Sequence, residues 1–261
     1  MSNMTNTTNT ALENHENTLT NPQVNTSVGT LYGIGIGPGD PELITVKAFR
    51  LMKEADVIAY PKKRKSGKSY ALTIVEQYTE GLSKELLGLI FPMTKEESVL
   101  KKQWTQTVSQ VWEKLSQGKN VVFVTEGDPN LYSTFIHMAR LMNQLHPEVP
   151  VVTVPGISSV LGAAAQLGIP LADGDEQVGI IPATEDRESM RLVLEHHDTV
   201  IFLKVAKVLD MMIGLLEELG MSDCASVITK VTSGEETIWK DVRQLKGKEL
   251  EYLTLMVVRK G

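Results

Sequence analysis

The chain has 261 residues, 42% of them hydrophobic and 22% charged, enough to bury a core shared by one or two domains. It has no run of about 18 apolar residues and no basic start followed by an apolar stretch, so a cytoplasmic protein without membrane span or signal peptide is expected. The single cysteine, Cys224, excludes an internal disulfide, and a net charge of -6 argues against a protein built to coat nucleic acid, which leaves small-molecule chemistry as the default.

Residues 1–28 are about half Asn and Thr, without apolar periodicity or aromatic residues, and read as a disordered tail. From Gly29 onward, β-rich runs alternate with amphipathic stretches, the pattern of an α/β protein with largely parallel or mixed sheets, and two α/β domains with mixed sheets are expected. Strands are expected at 30–36, 57–60, 86–91 and 120–125, with helices at 42–54, 70–78, 95–116 and 131–145. Pro147 and Pro150 then interrupt the chain and suggest a boundary between domains at 29–146 and 147–261. The second half offers strands at 151–154, 178–181 and 199–203 with helices at 158–167, 187–196 and 208–219. Three further strands, 225–230 (with Cys224 as a buried residue at its start), 236–239 and 251–258, have no helix between them and should pair antiparallel.

The first strand runs into Gly33-Ile34-Gly35-Ile36-Gly37-Pro38-Gly39-Asp40-Pro41-Glu42. The spacing does not fit a dinucleotide fingerprint, because the third glycine position falls on Pro38 or Asp40 in either register. Asp40, Pro41 and Glu42 also read as a helix start already occupied by its own carboxylates, a poor seat for pyrophosphate. A second Gly-Asp-Pro turn follows the fourth strand at Glu126-Gly127-Asp128-Pro129, leading into Tyr132-Ser133-Thr134. Glycine lets a ligand approach the backbone, and a nearby carboxylate suits hydroxyls, amines or a cationic centre better than phosphate. A third turn, Val154-Pro155-Gly156-Ile157-Ser158-Ser159, offers amides and hydroxyls without charge. Each turn taken alone also reads as a simple chain reversal or helix cap.

Together the three turns, in this order and spacing, resemble the tetrapyrrole methylases, which methylate porphyrin and corrin precursors with S-adenosylmethionine. The resemblance spans 29–261. Within the family, Gly127-Asp128-Pro129 before Tyr132-Ser133-Thr134-Phe135, and Asp56-Val57-Ile58-Ala59-Tyr60-Pro61 earlier, are similar to the branch acting on C20 of precorrin-2 or its cobalt complex, with a slight preference for the cobalt form. The resemblance implies a two-domain homodimer with the cofactor in the interdomain cleft and the flat substrate above it. It implies cofactor contacts from Pro38, Gly127, Asp128, Pro129, Tyr132, Ser133, Thr134, Ile157, Ser158, Phe202, Leu203 and Lys204, with Asp40 on the substrate side or the cofactor edge.

Methyl transfer to an electron-rich carbon is mainly a matter of alignment, so no strong protein nucleophile is required, and none stands out. Asp40, Glu126 and Tyr132 are candidates for the base that removes the C20 proton. His15, His137, His146, His196 and His197 show no ligand spacing, so no protein-held metal is expected, and any cobalt would arrive within the substrate. The basic run Lys62-Lys63-Arg64-Lys65-Ser66-Gly67-Lys68 is either a solvated loop or a flank of the cleft, with Lys62, Lys63, Arg64 and Lys65 attracting the substrate's carboxylates. Competing readings are a same-family methylase for another corrin position or a non-tetrapyrrole acceptor, and a non-catalytic tetrapyrrole carrier.

Overall fold

The computed structural model describes residues 27–62, 69–81, 83–91 and 96–261. All but the last two residues of the expected tail, and most of the basic run after Lys62, lie outside the described residues.

The first sheet contains β1 (Leu31–Gly35), β2 (Val57–Lys62), β3 (Glu85–Ile90), β4 (Val121–Thr125) and β5 (Val151–Val154) in the order β3-β2-β4-β1-β5. Every pairing is parallel, one of the two arrangements the sequence pattern allowed. Strand β5, expected in the second half, pairs with β1, and the change of sheet falls after Val154 rather than at Pro147. Parallel pairing demands cover on both faces. Strand β4 shows how this is met: Val121 and Phe123 join α3 (Glu97–Leu115) and α4 (Phe135–Leu145) on one face. Val122 and Val124 join α1 (Val46–Glu54) and α2 (Tyr70–Thr79) on the other.

Two helices begin later than their sequence pattern implied. The 42–54 stretch divides into a 3-10 turn (Pro41–Leu43) and α1, because Thr45 is extended and its hydroxyl accepts from the Ala48 amide as a new N-cap. The 131–145 stretch becomes helical only at Phe135, since Tyr132 sits in the left-handed region with φ 52°.

The second sheet holds β6 (Val178–Pro182), β7 (Thr199–Leu203), β8 (Ala225–Thr229), β9 (Thr237–Trp239) and β10 (Thr254–Arg259) in the order β6-β7-β10-β8-β9. Here β6 and β7 are parallel and the remaining pairs antiparallel, as expected for strands without crossover helices. Helices α6 (Arg187–His196) and α7 (Leu209–Glu218) cover one face through Leu194, Met212 and Leu216. The other face is covered by α5 (Ser159–Leu167), whose Val160 and Ala163 pack on Ile201, Ile228 and Leu255. The chain therefore leaves the first sheet at β5 and packs its next helix on the second, so residues 155–158 form the covalent crossing. Cys224 lies half-buried at the end of a 3-10 turn (Ser222–Cys224) just before β8, not in the strand.

Gly214 is interior to α7, where a Cβ would meet nothing within 4 Å, so its lack of a side chain serves no packing purpose. Gly214→Ala is expected to stabilise the protein by about 0.5–1 kcal/mol, read as a higher urea midpoint at unchanged slope.

Candidate functional site

The three glycine turns meet. Gly127 donates its amide to the Gly37 carbonyl at 2.8 Å, joining the ends of β4 and β1 in an isolated bridge. A Cβ on Gly35 would lie 2.4 Å from the Gly127 carbonyl oxygen and 2.6 Å from the Gly156 Cα. A Cβ on Gly156 would fall 2.3 Å from the same oxygen. These are backbone-to-backbone contacts that no side chain can enter. Asp128 locks them: one carboxylate oxygen accepts from the Gly156 amide at 2.9 Å and the other from the Asn130 amide at 2.8 Å.

Helix α1 leaves β1 toward one face and α4 leaves β4 toward the other, so the turns diverge above adjacent strand ends and leave a crevice. The second domain roofs it. The resulting cavity has a volume of about 490 Å³, in the range of small-molecule sites. From the first domain it takes Pro38, Lys62, Tyr70, Glu126 and Tyr132, and from the second Ser158, Leu203, Lys204, Lys230 and Tyr252. Backbone strain concentrates here. Of the non-glycine residues with positive φ among the described residues, Tyr132 (52°), Lys204 (60°) and Lys230 (46°) line the cavity, and Thr232 (62°) follows the lining residue Val231.

The loop containing Thr232 closes the domains together. The Asp40 amide donates to Thr232 Oγ1 at 3.1 Å, and a Cβ on Gly39 would lie 2.6 Å from the Val231 carbonyl oxygen and 2.9 Å from the Tyr70 hydroxyl.

Among the residues singled out from sequence, Pro38, Lys62, Glu126, Gly127, Asp128, Tyr132, Ser133, Thr134, Ser158, Leu203 and Lys204 line the cavity. Others do not. Asp40 caps the 3-10 turn by accepting from the Glu42 amide at 2.8 Å and lies outside the lining. Phe202 is fully buried among the residues beneath α6 and α7, since β7 alternates and only its neighbours Leu203 and Lys204 emerge at the strand end. Pro129 is buried and Ile157 half-buried, and neither is part of the lining. Lys63, Arg64 and Lys65 lie outside the described residues. Ser133 lines the wall, but its hydroxyl shares a hydrogen bond with Thr125 Oγ1 at 3.0 Å and accepts from the Phe135 amide.

Sequence reading missed Tyr70, Lys230, Val231 and Tyr252. Lys230 followed by Val231-Thr232-Ser233-Gly234 did carry a signal, a lysine at a strand end entering a small-residue turn. Tyr70 and Tyr252 had none, since each reaches the cavity only through tertiary packing. Both phenols are held protonated. Partial burial pushes the Tyr70 hydroxyl above its ordinary value, opposed by a hydrogen bond from Ser233 and reinforced by the charge of Glu126. Burial and then Glu126 raise Tyr252 likewise. Lys230 is held charged by hydrogen bonds to Glu235 and Glu251, at 3.1 and 3.2 Å. Among the described residues, no group of three or more His, Cys, Asp and Glu is placed to hold a metal ion, and no helix is long and apolar enough to cross a membrane.

The model of the tetrapyrrole (corrin/porphyrin) methylases matches residues 30–245. A probable cobalt-precorrin-2 C(20)-methyltransferase of Methanocaldococcus jannaschii is 39% identical over 181 residues, covering 69% of this chain and 74% of its own. The cobalt-precorrin-2 C(20)-methyltransferase of Salmonella typhimurium is 30% identical over 233 residues, covering 89% of this chain and 97% of its own. Among solved structures, a uroporphyrin-III C-methyltransferase from Thermus thermophilus, complexed with S-adenosyl homocysteine, superposes with a TM-score of 0.63 at 21% identity. It covers 89% of this chain and 98% of its own, which establishes a shared fold.

Two consequences are measurable. Gly35→Ala or Gly156→Ala should cost about 1–3 kcal/mol of stability, because a methyl group would be forced against backbone, whereas the same change at Gly214 should not. In an ultraviolet pH titration, Tyr70 and Tyr252 should ionise above the ordinary tyrosine range, and Glu126→Gln should bring Tyr252 down toward it. Because both folded values are raised, the stability linked to these phenols is fully present below the unfolded tyrosine value and is lost as pH rises through the folded one.

Proposed function

The chain belongs to the tetrapyrrole (corrin/porphyrin) methylases, and from that membership we propose that it transfers a methyl group from S-adenosylmethionine to C20 of precorrin-2, preferring the cobalt-loaded form, in cobalamin biosynthesis. One observation carries the reading: the three glycine turns, far apart in sequence, build a single cavity at the junction of the two sheets. The preference for cobalt rests on the similarity to relatives named for the cobalt substrate. A cytoplasmic homodimer belongs to the same proposal, supported by the family resemblance alone.

The residues suit the cofactor. When bound, S-adenosylmethionine supplies an electrophilic methyl group on a cationic sulfonium. The side-chain-free floor at Gly127 allows close backbone approach, and the hydroxyls of Ser158, Ser159 and Thr134 offer partners for polar groups. Leu203 gives the second domain's side an apolar surface, and Glu126 supplies negative potential near a cation.

The chain's own part in the reaction is alignment and proton removal. Holding the acceptor carbon about 3 to 3.5 Å behind the methyl group would supply much of the acceleration, and the interlocked turns offer a rigid floor for that alignment. Methylation leaves C20 carrying both a new methyl group and its original hydrogen, so a base must take the proton. Of the three candidates, Glu126 is the one whose position suits the task. Asp40 lies outside the cavity, and the Tyr132 hydroxyl donates to the Ile180 carbonyl at 3.3 Å. Tyr70 and Tyr252, kept neutral, line the same cavity, the Tyr70 hydroxyl donating to the Pro38 carbonyl at 3.5 Å.

The decisive experiment incubates the protein with methyl-labelled S-adenosylmethionine and either precorrin-2 or its cobalt complex. Label is expected at C20 of the tetrapyrrole, faster with cobalt. Binding of tetrapyrrole without label transfer would favour the carrier reading, and label at another ring position would assign a different family member's reaction. Glu126→Gln should lower kcat by about 10²–10⁴-fold while leaving S-adenosyl homocysteine affinity intact. Unchanged turnover would remove Glu126 as the base.

A further inference from the structure

Lys204 follows directly on β7, and Tyr132 follows on the Gly127 turn of the other domain, so the two approach the cavity from opposite sides. Both are left-handed, at φ 60° and 52°, a conformation that costs free energy for residues with a Cβ and persists only where the surroundings enforce it. The Lys204 ammonium lies 5.6 Å from the centroid of the Tyr132 ring, a cation–π distance. The Tyr132 hydroxyl donates to the Ile180 carbonyl on β6, the strand paired with β7, which anchors the ring over the second sheet.

What Lys204 lacks is a carboxylate. Lys230, on the same cavity, is neutralised by Glu235 and Glu251, whereas among the described residues Lys204 has no Asp or Glu within ion-pair distance. Its side chain is exposed to the cavity and rests on an aromatic face, a contact weaker than a charge-assisted hydrogen bond to an anion. A carboxylate arriving in the cavity therefore outcompetes the ring.

We propose that Lys204 is a specificity-determining residue for the methyl acceptor, its ammonium resting on Tyr132 until it engages a carboxylate on the tetrapyrrole's periphery. The inference rests on the function proposed above. The cofactor's amino-acid end also bears a carboxylate, but that group carries its own ammonium beside a sulfonium, where a further cation meets like charge. Peripheral carboxylates of a tetrapyrrole have no such neighbour. The left-handed step at Lys204 places the cation at the site without leaving a salt bridge to be broken first.

The test uses the full chain with Lys204→Met and Lys204→Arg, both conservative at an exposed position. Equilibrium binding of uroporphyrin, a polycarboxylate macrocycle, and of S-adenosyl homocysteine is measured for each, alongside steady-state methylation of the precorrin substrate. Loss of one charge-assisted hydrogen bond predicts about 10–100-fold weaker uroporphyrin binding in Lys204→Met and a similar rise in KM with kcat nearly unchanged. Lys204→Arg should restore most of the affinity, and S-adenosyl homocysteine binding should stay within about twofold throughout. Unchanged uroporphyrin binding in Lys204→Met would overturn the proposal, and so would an equal loss in S-adenosyl homocysteine affinity, which would assign the lysine to the cofactor. Because uroporphyrin binding needs no turnover, a wild-type protein that fails to methylate precorrin-2 would count against the proposed function while leaving the role of Lys204 readable.

Discussion

Backbone contact among Gly35, Gly127 and Gly156 is the constraint on which the rest of the molecule hangs. Three peptide segments can approach this closely only if Gly35 and Gly156 carry no Cβ, if Gly127 holds its left-handed φ of 66°, and if β4, β1 and β5 lie side by side with their ends level. The parallel sheet supplies the alignment, and Asp128 supplies the lock by joining its own turn to the Gly156 amide. Since β5 is also where the chain departs for the second sheet, the position of the whole second domain is inherited from this contact. The cleft is thus part of the folding problem itself. A change that spoils the glycine contact disturbs the ligand site and the domain junction together.

The second closure is made differently. Loop 230–234 reaches turn 38–40 through Thr232 and the peptide groups around it, with residues held in left-handed conformations. Rigid glycine packing on one side and strained non-glycine backbone on the other give the cavity two walls of different character. Strain of this kind persists only when neighbouring contacts over-determine it. Here those neighbours are the Lys230 ion pairs with Glu235 and Glu251 and the packing of Val231 on Gly162.

Much of this was legible in the sequence, and what was missed follows a pattern. The order of strands and helices was readable because hydrophobic periodicity reports local burial. The three turns were readable because Gly-Asp-Pro and Pro-Gly-Ile-Ser-Ser restrict the backbone wherever they occur. Sheet membership of β5 was not, because Pro147 and Pro150 mark a break in the chain without saying on which side of it the next strand pairs. The start of α4 differs for a related reason: Tyr132 has ordinary helical propensity, and its left-handed backbone accompanies a tertiary contact of its hydroxyl with Ile180 that the local sequence does not report. Phe202 and Asp40 sit outside the cavity lining for reasons a motif does not report. A residue adjacent to a ligand-lining position in a strand points the other way, and a carboxylate that caps a turn is already engaged.

The negative net charge takes on meaning once the cavity is assembled. An acidic protein repels a polycarboxylate at long range, so recognition must come from cations placed where solvent screening is least. Lys62, Lys204 and Lys230 line the cavity from both domains, yet they are not equivalent, since Lys230 is matched by two glutamates and Lys204 rests on an aromatic ring. Glu126 sits within the same walls, and its charge adds to the burial that raises Tyr70 and Tyr252. Carboxylates at the end of β4 and the Lys204 cation at the second domain's edge give one pocket both signs of charge, as a cationic methyl donor and an anionic acceptor require. Reversing either sign would leave one of the two ligands facing like charge, so the separation of these groups matters more to the chemistry than the total charge of the chain.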